Sequence, residues 1–194
     1  MLPPPAGLKD PTRHFLNYLQ KHPDLRARIR APMGQTVAYA GTVATEPVWQ
    51  RLLRMQISAP GPNDFCMLPD ILKRIMVPND MFAAVGLITA PSVRTMLDFV
   101  NFLTGEGGLP KQVPWDPDGF IIWRALSGIF MSNAAGRVRL LVADVPNRDG
   151  KVFFKTEMFV LSRNPNIDPF SKGALDLLRK QISAGSPLGQ IELV

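Results

Sequence analysis

The side chains of this chain that could do chemistry are few, and their spacing restricts what that chemistry could be. His14, His22 and Cys66 are the only imidazoles and thiol among 194 residues. A zinc site needs several Cys, His or carboxylate ligands at suitable spacing, so no metal is expected. Cys66 stands between Phe65 and Met67 and reads as a small core residue, since a reactive thiolate would need a basic neighbour. His14, beside Phe15, reads as a helix-surface or packing residue. Asp116 and Asp118 could pair as acid and base, but among Pro114, Pro117 and Gly119 they serve equally well as turn formers. No Gly-x4-Gly-Lys-Ser/Thr loop occurs, and Gly105-Glu-Gly-Gly108 is too short for a dinucleotide fingerprint. No cofactor is evident from these residues.

Charge says more. The formal net charge is +6, and residues 1–54 hold eight Lys/Arg against three Asp/Glu, while the rest of the chain holds fourteen against thirteen. Arginine outnumbers lysine 14 to 8. Its planar fork suits phosphate, so DNA or another polyanion is the expected partner; a solvated helix face is the plainer reading of the same charges. Arg26, Arg28 and Arg30 are the candidate nucleic-acid contacts. They fan around a helix but would share one face of a strand.

The longest apolar runs, Met81–Ile88 and Phe120–Trp123, fall far short of the ~20 residues that span a bilayer. The start, Met-Leu-Pro-Pro-Pro, lacks the features of a secretion signal. A lone cysteine excludes an intrachain disulfide and fits a reducing compartment. A cytoplasmic protein without membrane contact is therefore expected.

The elements that must position these groups follow from caps and periodicity. Asp10-Pro11 opens a helix burying Phe15, Leu16 and Leu19 that stops before Pro23. Asp24 caps a second over Leu25–Ala31. Thr36–Thr45 is β-like, Trp49–Ile57 is ambiguous, and Pro60 and Pro62 mark a loop. A short helix is expected over Pro69–Met76, and a buried strand over Phe82–Thr89 with Gly86 inside it. Ser92 caps a helix bearing Met96, Leu97, Val100 and Leu103, which Gly105 ends. Three prolines keep residues 109–118 extended, and a helix follows from about Phe120 to Met131.

Arg137–Val145 and Lys151–Leu161 flank Pro146-Asn-Arg-Asp-Gly150, which predicts a β-hairpin. Its second strand would turn Val152, Phe154, Thr156, Met158 and Val160 inward. Lys151, Phe153, Lys155, Glu157 and Phe159 would share the opposite face, an arrangement that could also serve RNA. Asp168-Pro169 opens a last helix with Leu175, Leu178 and Ile182 at helical spacing. The reading is α+β: a mixed sheet with a hairpin at about 137–161 and flanking helices. It is organised as a basic arm (1–60) packed on a core (61–194), one domain overall.

Asp118-Gly-Phe-Ile-Ile-Trp-Arg-Ala-Leu-Ser-Gly128 resembles the ParB/sulfiredoxin-type motif, with Gly119, Trp123, Arg124, Ala125 and Gly128 at matching spacing. Met96–Leu103, Gly107-Gly-Leu-Pro110 and Arg137–Asp144 resemble the flanking elements, so the resemblance covers roughly residues 82–176. It implies a ParB/sulfiredoxin-like core and a nucleotide or DNA cleft at Asp118, Gly119, Arg124 and Arg163. ATP is then a conceivable ligand, and ATPase or nuclease activity rests on the resemblance alone. Phe120, Ile121 and Ile122 replace the family's charged, phosphate-engaging residues, so binding is expected rather than standard hydrolysis. The chain is also similar to plasmid fertility-inhibition proteins of the oncogenic-suppression type, which implies inhibition of conjugative DNA transfer. The alternative is a non-enzymatic interaction subunit of a plasmid, phage or secretion assembly.

Overall fold

A computed structural model describes residues 7–43, 46–48, 50–52, 54, 65–106, 111–143, 151–185 and 191–193. The chain forms two compact units: residues 1–29 with 68–126, and residues 30–67 with 127–194. The architecture is α+β, with the described helices spread over both units and the described strands confined to the second.

In the first unit, α1 (Asp10–Lys21) carries Pro11 in its first turn, where a missing N–H costs nothing. It buries Phe15, Leu16, Tyr18 and Leu19. The short α2 (Pro23–Arg28) follows. Then come α3 (Leu68–Leu72), α4 (Met81–Val85) and α5 (Met96–Thr104). Phe82 meets Phe99 edge to face at 5.1 Å, and Phe15 lies 5.8 Å from Phe99. The Tyr18 hydroxyl donates to Asp80 over 2.7 Å, tying α1 to the start of α4. Burial, with Asp80 alongside, pushes the Tyr18 hydroxyl's pKa well up.

Two expectations are corrected in this unit. The strand at Phe82–Thr89 is instead the helix α4, ended by Gly86 as a left-handed cap at φ 78°. Met81, Phe82 and Val85 are buried while Ala83 and Ala84 are exposed, a helical spacing that a run this short does not advertise. The cap of α5 is Thr95, not Ser92: its hydroxyl accepts from Asp98 N–H while the Asp98 carboxylate accepts from Thr95 N–H.

In the second unit, β1 (Thr36–Ala40) pairs in parallel with β4 (Val138–Val142), and β4 pairs antiparallel with β5 (Ile191–Leu193). The short β2 (Thr42–Val43) and β3 (Glu46–Pro47) form a separate antiparallel ladder. Val37, Phe65, Met67, Leu141 and Ala143 pack into one cluster with Val48 and Leu52. Cys66 is buried in a bridge beside Thr36, as expected of a core residue. Between these strands runs α6 (Phe120–Ser132), and the unit boundary falls within it after Leu126.

The expected hairpin is half right. Its first strand is β4, and its turn lies outside the described residues. Its second strand is helical: a π-turn at Phe153–Glu157 continues into α7 (Met158–Arg163). The buried residues are Phe153, Phe154, Glu157, Met158 and Leu161, a spacing of 1, 3, 1 and 3 that follows a helix face and not alternate residues. Glu157 therefore points inward, against the solvent-facing position expected of it. The last helix, α8 (Pro169–Ser183), is as anticipated, with Asp168 accepting from Ser171 N–H at its cap.

Candidate functional site

Residues 118–126 of the resemblance segment lie in the first unit, and a wide turn leads into them. Trp115–Gly119 forms a π-turn rather than an extended stretch, with a cis bond at Asp116-Pro117 and Asp116 itself extended. Asp118 is 1% exposed, and its carboxylate accepts the Lys9 backbone N–H at 2.8 Å. It thus fastens the start of α1 instead of facing solvent, whereas Asp116 is exposed. Gly119 gives the Trp115 indole room to approach: a Cβ there would stand 2.9 Å from Trp115 Cε3 and 3.3 Å from Thr104 Cγ2. Arg124, one turn into α6, sets its guanidinium over the Phe120 ring at 5.7 Å. One short segment therefore brings together Asp118, Gly119 and Arg124, while Arg163 ends α7 in the other unit.

The three N-terminal arginines do not form a stripe. Arg26 and Arg28 occupy the last turn of α2, about 200° apart around it, and Arg30 lies beyond the Ile29 cap. Arg28 and Arg30 are exposed and Arg26 is half-buried. Positive charge is greater in the second unit, with twelve Lys/Arg against eight Asp/Glu, than in the first, with ten against eight. Over residues 151–183, Lys151, Lys155, Arg163, Lys172, Arg179 and Lys180 face only Asp168, Asp176 and the buried Glu157. Asp168 is held below the usual carboxylate range by Ser171, its hydroxyl and N–H together, and then by Arg137 at 3.5 Å.

The second unit also encloses a carboxyl that sequence reading assigned to the surface. The π-turn directs Glu157 against α6, where Ser127 Oγ donates to Oε1 at 2.6 Å. Oε2 is buried and has no hydrogen-bond partner. Burial pushes this carboxyl up to about 7, against the opposing pull of the Ser127 hydroxyl. Such a group holds or releases a proton near neutrality. Because it is enclosed, an ionised Glu157 would have only the Ser127 hydroxyl to compensate its charge. The neighbouring Gly128 and Thr156 make the second contact of α6 with the π-turn, a Cβ on Gly128 standing 3.4 Å from Thr156 Cγ2.

Local sequence carries no trace of the Ser127–Glu157 pair, whose members are thirty residues apart. A glutamate amid Phe153, Phe154, Met158 and Leu161 on a helical count was the available signal. Among the described residues, no group of three His, Cys, Asp or Glu is placed to hold a metal ion, and no helix is long and apolar enough to cross a membrane. Comparison with protein-family models, with characterised proteins and with solved structures finds no match to this chain.

Proposed function

We propose that this chain is a DNA- or nucleotide-binding protein with a ParB/sulfiredoxin-like core, acting by occupancy to restrain conjugative DNA transfer. The observation that carries the reading is the cationic surplus, +6 overall, joined by exposed Arg28, Arg30 and Arg163. Arg26, Arg28 and Arg30 engage the phosphate backbone, where affinity comes from neutralised phosphates and released counterions. Arg124, steadied by Phe120, and Arg163 add cations from their own units. Asp118 and Gly119 position the start of α6 rather than touch the ligand. ATP is the nucleotide to test first, on the strength of the resemblance.

Fluorescence anisotropy with a labelled duplex, repeated across salt concentrations, tests the reading. Binding is expected to fall linearly on a log–log salt plot, and the triple change Arg26→Ala, Arg28→Ala, Arg30→Ala should reduce both affinity and slope. No binding at low salt overturns the proposal.

The reading of an interaction subunit is favoured by a different observation. Phe170 and Leu177 on α8 are each 53% exposed and lie seven residues apart on one side of the helix.

A further inference from the structure

Because residues 152–163 are helical, their side chains sort differently from those of the strand expected there. Phe153 and Glu157 turn inward, and Phe153 meets Phe154 edge to face at 5.1 Å. Lys151, Lys155, Phe159 and Arg163 are all exposed, each four residues from the next. The Lys155 N–H donates to the Lys151 carbonyl at 3.2 Å, so Lys151 begins the first turn. Four residues of α-helix turn about 40° beyond a full circle, and four of the wider π-turn fall short of one. Lys155, Phe159 and Arg163 therefore lie on one side. Lys172 reaches over from α8 to the Pro165 carbonyl at 3.5 Å and brings a fourth cation near the Arg163 end. Glu157 is the only carboxylate between Lys151 and Pro165, and the helix has hidden it. What this stretch leaves outside is cationic, with one aromatic, Phe159, 47% exposed between Lys155 and Arg163.

We propose that this side of the π-turn and α7 binds a single strand of DNA, with a base stacked on the Phe159 ring and Lys151, Lys155 and Arg163 on the flanking phosphates. This assignment deepens the DNA-binding reading and rests on it. Charge complementarity selects the occupant. Cations around an uncovered aromatic suit a polyanion that carries flat faces, whereas the core of a protein interface is depleted of lysine. A duplex would leave the ring idle, because its bases are already stacked and paired. A single strand can offer a base to it.

Lys151 and Arg163 are roughly 18 Å apart along the axis, the length of about five stacked nucleotides at ~3.4 Å each. Each phosphate neutralised on a single strand adds about −0.7 to the log–log salt slope, so the three cations alone contribute about −2.

Fluorescence anisotropy of the full chain with a labelled oligothymidylate, beside a labelled duplex, tests it across salt concentrations. The wild type should bind the single strand at low salt. Phe159→Ala should weaken that binding roughly tenfold while leaving the salt slope, the duplex affinity and the circular dichroism spectrum unchanged. Phe159→Leu, which keeps apolar bulk without a ring, replaces it should the alanine variant unfold. Lys155→Ala and Arg163→Ala should each flatten the slope by about 0.7. In Phe159→Trp the affinity should hold, and the strand should quench the added indole emission. A wild type that binds neither probe overturns the DNA-binding reading and this assignment together. Binding to the duplex but not to the strand overturns this assignment alone. So does a Phe159→Ala variant that binds the strand like the wild type, or that loses strand and duplex equally. An oligouridylate bound several-fold more tightly than the oligothymidylate overturns it in favour of RNA. Affinity for polyglutamate that falls in Phe159→Ala as far as affinity for the strand overturns it in favour of an acidic protein.

Discussion

Two π-turns, Trp115–Gly119 and Phe153–Glu157, each bury one carboxylic acid, and they do so by different means. In the first, Asp118 receives a backbone N–H, a donor that is always present and always suitably directed. In the second, Glu157 receives a serine hydroxyl on one oxygen and nothing on the other. A buried acid with a backbone donor works as a fastener. One with a single hydroxyl donor and an orphaned oxygen costs the fold whenever it is ionised. The first turn is therefore expected to respond to mutation and the second to pH.

The largest effect should come from Glu157. Between the ordinary glutamate value of 4.5 and about 7, the folded chain keeps a proton that the unfolded chain has released. Stability is then highest below 4.5, falls as pH rises, and levels off above about 7. The loss should be roughly 3 kcal/mol. Urea titrations at pH 5 and pH 8 read this, and in Glu157→Gln the slope should vanish while the Ser127 contact is retained. An unchanged slope would mean that Glu157 is not the titrating group.

Asp118→Ala comes next. It strands the Lys9 N–H and should destabilise by about 2 kcal/mol in the same urea titrations; a variant as stable as the wild type would mean that the contact fastens nothing. Gly119→Ala should cost about 1 kcal/mol by pushing the half-exposed Trp115 indole aside, with a shift in tryptophan emission as its signature. The smallest effect is a gain. Gly128→Ala meets only ordinary contact with Thr156 and should stabilise α6 by about 0.5 kcal/mol.

Legibility in the sequence divided along the same line. The α8 helix was readable because Asp168 and Pro169 mark its start and Leu175, Leu178 and Ile182 recur at its period. The β4 strand was equally readable. The segment after it satisfied two patterns at once: Val152, Phe154, Thr156, Met158 and Val160 alternate, while Phe153, Phe154, Glu157, Met158 and Leu161 follow a helix. Neither β-branched content nor the turn-like residues before it separates the two. At Met81–Val85 the helix is too short for its period to show. The Asp118–Lys9 and Ser127–Glu157 contacts join residues 109 and thirty positions apart, so no local pattern could announce them.

The pairing of β1 with β4 has a consequence for how the chain is made. Thr36 lies opposite Val138, so 102 residues separate the two partners, and between them the chain builds α3, α4 and α5 of the other unit. On a ribosome β1 emerges long before its neighbour exists. Closing so long a loop places this sheet late in folding and makes it slow relative to the helices. During that interval the edge of Thr36–Ala40 that will meet β4, which carries no charged residue, is left unpaired and open to misassociation.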